Sequence, residues 1–212
     1  MKKILAAALS LAMLLSLAAC GGAEGENKNE VSPVAVECDM TSLGTSDWSA
    51  SIDPAYVENN GGNWQMQVNL YSMDLYTEED VSRLKEGMTF YAEGGALEVT
   101  SVAAGENGSV LINGGTEEGG YELVASDTAG LYRISGMDDA ATYTLGGILA
   151  MNIASDVALY DDSNPEEGQK IYVGGNEIGE VLTDFLHTFT ERNTTVHFED
   201  GRLTAIHNVY IP

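Results

Sequence analysis

The chain has 212 residues, 9 basic and 33 acidic side chains and a net charge of −24, so it repels the phosphate backbone of nucleic acid and anionic lipid headgroups. No basic patch offsets this, which excludes nucleic-acid binding as a function class. The length fits one domain with an extension.

Met1, Lys2 and Lys3 form a short basic start, and residues 4–15 form an apolar run rich in Leu and Ala. That run is well short of the ~20 residues a membrane-spanning helix needs. A basic region, an apolar region and then small residues make a secretory signal. The boundary reads Leu17-Ala18-Ala19-Cys20-Gly21, which resembles the lipobox of bacterial lipoproteins. The resemblance implies that residues 1–19 are a cleaved signal peptide and that the Cys20 thiol carries a diacylglycerol. The expected membrane partner is therefore reached through the lipid alone. One acyl chain holds a protein only marginally, at ~0.8 kcal/mol per buried CH₂, and several chains on one cysteine hold it firmly. The expected location is the extracytoplasmic side of the cell membrane. Loss of Lys2 and Lys3 with the signal leaves 7 basic against 33 acidic residues, a net charge of −26.

Residues 20–33 read as the lipidated cysteine and a Gly-rich, acidic linker, expected to be disordered and to space the domain from the membrane. The folded domain is expected over residues 34–212. Cys38 has no second cysteine once Cys20 is lipidated, and its strand-like surroundings predict a buried thiol.

The rest of the chain predicts strands and tight turns. Residues 64–70, Trp-Gln-Met-Gln-Val-Asn-Leu, alternate apolar and polar, the period of a strand with one buried face. Thr77 reads as a helix N-cap with Glu78, Glu79 and Asp80 in the first turn, where carboxylates meet the positive end of the helix dipole. Val81 and Leu84 face inward, and the helix ends by Gly87. Short strands follow at 88–93, 96–102, 109–113, 121–125, 131–135 and 142–145, with turns at glycine-rich pairs such as Gly94-Gly95. An amphipathic helix is predicted over 177–189, with Ile178, Val181, Leu182, Phe185, Leu186 and Phe189 on one face. Asp200-Gly201 signals a type I′ hairpin. Glu199 then faces Arg202, and Val196, Phe198, Leu203, Ala205, His207, Val209 and Ile211 share the apolar phase.

Motifs that carry chemistry are absent: no nucleophile elbow, no H-E-x-x-H, no Walker loop and no C-x-x-C. His197 and His207 are expected on opposite faces of the hairpin and His187 on the polar side of its helix, so no histidine site is expected. Asp161-Asp162-Ser163-Asn164-Pro165-Glu166-Glu167 is rich in oxygen but lacks EF-hand spacing, so a solvated turn is preferred to a Ca²⁺ site. Trp64, with Trp48, Tyr56 and Tyr71, has the ring chemistry to stack on sugars, but its strand phase favours the core.

The expected fold is mainly β, a sandwich or small barrel of short antiparallel strands with one or two short helices. The expected function is a membrane-anchored, non-catalytic surface or envelope domain that binds an unidentified ligand, with Cys20 the only assigned site residue and no catalytic residue, cofactor or metal. The alternatives are a solute- or carbohydrate-binding lipoprotein and a hydrolase built on two carboxylates. The mature region resembles uncharacterised exported proteins of Gram-positive bacteria in its β texture and its Tyr210-Ile211-Pro212 ending, a likeness that implies no activity.

Overall fold

The structure is a computed structural model and describes residues 29–34 and 43–211. Cys20, Cys38, Pro212 and residues 20–28 of the expected linker lie outside the described residues. The fold is mainly β, as expected, with several sheets, one of them a curled half-barrel, and two short helices.

In chain order the first strands are β1 (Glu30–Val31), β2 (Ser46–Ser51), β3 (Val57–Asn60), β4 (Asn63–Met73) and β5 (Leu75–Thr77). Helix α1 (Glu78–Ser82) precedes β6 (Thr89–Ala92), β7 (Gly95–Glu98), β8 (Val102–Ala104), β9 (Val110–Ile112), β10 (Tyr121–Ala125) and β11 (Leu131–Ser135). Then come β12 (Tyr143–Asn152), β13 (Ala158–Asp162), β14 (Lys170–Val173), α2 (Gly174–Leu182), β15 (Thr194–Glu199) and β16 (Arg202–Val209). β1 falls inside the stretch expected to be linker, and its Glu30 and Val31 pair in parallel with Thr89 and Phe90 of β6.

The large sheet runs β12-β4-β2-β15-β16-β13-β14, with β3 on β4. β4 keeps its period of two: Met66, Val68 and Leu70 are buried while Gln65, Gln67 and Asn69 are not. Its inner face joins Ala50, Leu159, Val196, Phe198 and Ile206 to Ile178, Val181 and Leu182 of α2 in one apolar cluster. The smaller sheets, β5-β11-β10-β9-β8 and β1-β6-β7, enclose a second cluster around Tyr76, Phe90, Ile112, Leu123 and Ile134. Tyr76 and Phe90 stack there with ring centroids 4.8 Å apart.

Asp74 links the two regions. It is buried between β4 and β5, and its carboxylate accepts from Thr142 Oγ1 at 2.9 Å, Thr144 Oγ1 at 2.6 Å and the Glu93 amide at 2.9 Å. Three donors are what a buried carboxylate needs to offset lost hydration.

The first helix follows expectation: Thr77 Oγ1 accepts from the Asp80 amide at 3.0 Å, and Val81 and Leu84 are buried. The turn before β7 is shifted by one residue. Ala92 pairs with Gly95, so Glu93 and Gly94 occupy the corner, with φ of 52° and 71°.

Two further expectations about the elements are overturned. The second helix spans Gly174–Leu182 rather than 177–189. Thr183 Oγ1 donates back to the Gly179 carbonyl at 2.8 Å, and Asp184 Oδ1 accepts from the Leu186 amide at 3.0 Å. These local bonds compete with helix continuation and turn the chain. Phe185 and Leu186 are therefore 90% and 89% exposed, while Phe189 returns to the core through a bridge to Ile52.

The second correction is in the last hairpin. Asp200 and Gly201 make the expected turn, with φ of 50° and 76°. But His197 pairs with Ala205 and Phe198 with Leu203, which leaves Thr204 as a bulge. One extra residue reverses the phase of everything after it. Ile206 and Asn208 point inward, while His207, Val209 and Ile211 are exposed rather than buried. Arg202 also takes a different partner. Glu199 lies opposite in register, but the guanidinium pairs with Asp156.

Candidate functional site

A groove of about 760 Å³ lies at the end of β13. It is lined by Asp161 and the turn after β13, by Leu186, His187, Thr188, Thr190 and Asn193 after α2, and by Val209, Tyr210 and Ile211. Each wall follows from a local feature already described. The Thr204 bulge sends Val209 outward, and the early end of α2 leaves Leu186 and His187 at the mouth. Asn193 pins the loop beside them, accepting from the Thr190 amide at 2.8 Å and donating to the Thr188 carbonyl at 2.9 Å.

The chemistry centres on Asp161 and His187. Asp161 is 4% exposed, and its Oδ1 accepts from the Ser163 amide at 3.0 Å. Its Oδ2 lies 3.3 Å from His187 Nε2, and Asp184 Oδ2 lies 3.6 Å from His187 Nδ1. The imidazole is thus held between two carboxylates, and Nδ1 is buried without a hydrogen-bond partner. Beside Asp161 in register on β16 sits Asn208, 0% exposed, with neither its amide oxygen nor its nitrogen bonded. Sequence reasoning missed this cluster, because residues 161, 187 and 208 meet only through the parallel pairing of β13 with β16 and the turn after α2.

The other histidines sit elsewhere. His197 Nδ1 is 2.6 Å from Asp47 Oδ1, with Glu199 Oε1 3.7 Å from Nε2. His207 stacks on Tyr160 with centroids 4.7 Å apart. The bulge puts His197 and His207 on the same outer face, not on opposite faces as expected; His207 pairs with Thr195, two residues from His197. His187 lies beyond the end of α2, not on its polar side.

The acidic turn closes largely on itself. Asp162 Oδ2 accepts from Gln169 Nε2 at 2.7 Å, Asn164 Oδ1 accepts from the Glu166 amide at 3.1 Å, and Glu167 pairs with Lys170. These bonds spend oxygens that a Ca²⁺ ion would need. Among the described residues no group of three or more His, Cys, Asp or Glu is placed to hold a metal ion. Among them, too, no helix is long and apolar enough to cross a membrane.

Trp64 serves the core. Its indole packs against the large cluster, and Nε1 donates to Asn176 Oδ1 at 3.0 Å. Tyr71 lies on the outer face, its hydroxyl 3.2 Å from Ser51 Oγ.

No protein-family model matches the chain, and no curated protein or solved structure matches it either.

Proposed function

We propose that this chain is a lipoprotein, held at the extracytoplasmic face of the cell membrane through Cys20, whose β domain binds a ligand without turning it over. The observation that supports the binding half is the groove at Asp161 and His187. Its volume of about 760 Å³ falls within the ~300–1,000 Å³ typical of ligand pockets. Polar groups converge on its floor, and Leu186, Val209, Tyr210 and Ile211 give it an apolar rim.

The geometry also favours binding over catalysis. A general base needs a ring nitrogen free to reach substrate, and in His187 Nδ1 is buried while Nε2 lies 3.3 Å from Asp161 Oδ2. Asp74 already accepts three hydrogen bonds and is not among the residues that line the groove.

Two measurements test this reading. Mass spectrometry of membrane-extracted protein should find an N-terminal Cys20 carrying diacylglycerol, and Cys20→Ala should release the protein or leave it unprocessed. An unlipidated mature N-terminus elsewhere overturns the anchor. Activity screening against glycans, peptides and esters should find no turnover. Reproducible turnover abolished by Asp161→Asn or His187→Ala overturns the non-catalytic reading.

A further inference from the structure

We infer that the groove takes a protonated primary amine joined to a hydrocarbon segment, with the ammonium held by Asp161. The inference rests on the groove being the ligand site and names the class of ligand.

The first argument is charge. Asp161 is almost fully buried, and a buried carboxylate is costly unless paired and hydrogen-bonded. Its Oδ1 has the Ser163 amide, but Oδ2 has only the His187 ring at 3.3 Å. The nearest full positive charge lining the groove, Lys170, is taken by Glu167. An anion would meet Asp161 and the acidic turn together, in a chain of net charge −24. A metal ion lacks a ligand set here. An ammonium brings one positive charge and three donors in a compact group.

The second argument is independent of the carboxylates. Asn208 sits beside Asp161 on the same inner face, fully buried, with both polar atoms unbonded. His187 Nδ1 is likewise unbonded. Native proteins leave few such groups, and each one asks for a missing partner. Orphaned groups around one under-partnered carboxylate mark a place where a polar head belongs. An ammonium there satisfies Asp161 Oδ2, beside which Asn208 is the register neighbour on β16.

The third argument is the rim. Leu186 is 89% exposed, and Val209, Tyr210 and Ile211 are 45%, 52% and 47% exposed. Contiguous exposed apolar side chains around a polar floor suit a ligand that is charged at one end and apolar beyond it. A free alkylamine and a lysine side chain on a peptide share this chemistry.

The test uses the full chain, extracted in detergent, and four probes: n-pentylamine, cadaverine, an N-acetylated peptide with one lysine, and n-pentanol as the uncharged match. Calorimetry should show at least one amine binding roughly ten- to a hundredfold more tightly than pentanol, the range of a hydrogen bond to a charged group. Binding should weaken with added salt. Tighter binding of pentylamine or cadaverine identifies a free amine; tighter binding of the peptide identifies a lysine side chain. Asp161→Asn should remove the preference for amine over alcohol. If that variant fails to fold, NMR of the wild-type chain decides: the amine, but not pentanol, should shift the His187 ring and Asn208 amide signals. Equal binding of amine and pentanol overturns the inference. If cello-oligosaccharide or Ca²⁺, added as two further probes, shifts the groove signals and no amine does, the amine assignment fails and the groove stands. If none of these probes shifts them, both fail.

Discussion

Gly179 lies flat against the indole of Trp64: a Cβ built on Gly179 falls 2.2 Å from Trp64 Cδ2 and 2.3 Å from Cε3. The contact decides how α2 seats on β4. Gly175, one turn earlier, approaches the same residue, its built Cβ 3.3 Å from Trp64 Cβ. Two glycines that weaken the helix in isolation thus make the slot into which the tryptophan fits.

Gly179→Ala should therefore destabilise the protein. In an open helix the change is worth ~0.5–1 kcal/mol in the favourable direction. Here the added methyl overlaps a ring, and overpacking costs ~1–3 kcal/mol. Thermal unfolding of Gly179→Ala should show a lower midpoint, and Trp64→Leu in the same chain should lessen the loss. A raised midpoint for Gly179→Ala contradicts the packing described.

Adjacent positions in β15 test its two faces. Phe198 is 1% exposed, and truncating a buried Phe costs ~3–5 kcal/mol. His197, on the outer face with Asp47, should matter far less when changed to Ala, within about 1 kcal/mol. Chemical denaturation of Phe198→Ala and His197→Ala should reproduce that order.

The Thr204 bulge makes a similar contrast in β16. Ile206 is fully buried and Val209 is 45% exposed. Ile206→Ala should cost ~2–5 kcal/mol, whereas Val209→Ala should stay within about 0.5 kcal/mol. A larger loss for Val209→Ala than for Ile206→Ala would mean that the strand keeps the phase of Leu203 and the bulge is absent.

High pH should expose Tyr76. Its ring is fully buried and its hydroxyl donates to the Tyr91 carbonyl at 2.8 Å. Burial, and then the charge of Asp74, push its ionisation well above the ordinary value of 10.0. The native state thus holds the phenol neutral while the unfolded chain can ionise it. The associated stability is complete below pH 10 and is lost as pH climbs above it. Tyr76→Phe should flatten that alkaline decline while costing ~0.5–1.5 kcal/mol at neutral pH for the lost hydrogen bond. Denaturation midpoints from pH 8 to 11 check both halves.

Local chemistry made much of the fold legible in advance. The alternation of residues 64–70, the Thr77 cap and the Asp200-Gly201 turn each depend on neighbours within a few positions, and each is found where expected. The misreadings share a cause. Val209 and Ile211 continue an apolar phase in the sequence, but the bulge that reverses it depends on cross-strand pairing with β15. Phe185 and Leu186 continue a helical stripe, but Thr183 and Asp184 end the helix with side-chain bonds that periodicity does not register. Strand β2, Ser46–Ser51, has too few apolar residues to stand out, and its place is set by β4 and β15 on either side. The groove is assembled from the same non-local features, which is why the sequence alone keeps the Asp161–Glu167 turn and His187 separate and favours neither as a site.

Strand β16 lies inside the large sheet, between β15 and β13, and β13 pairs with it in parallel. The chain lays down β13, then β14, α2 and β15, before it reaches the strand that joins them. Such long-range closure is slow, because loop entropy is spent before any contact returns it. During folding, β13 and β14 therefore stay an unjoined hairpin until residues 202–209 pair with β13. A chain cut before that strand leaves the β13–β14 pair with no strand to join, and the groove without Val209, Tyr210 and Ile211 of its rim.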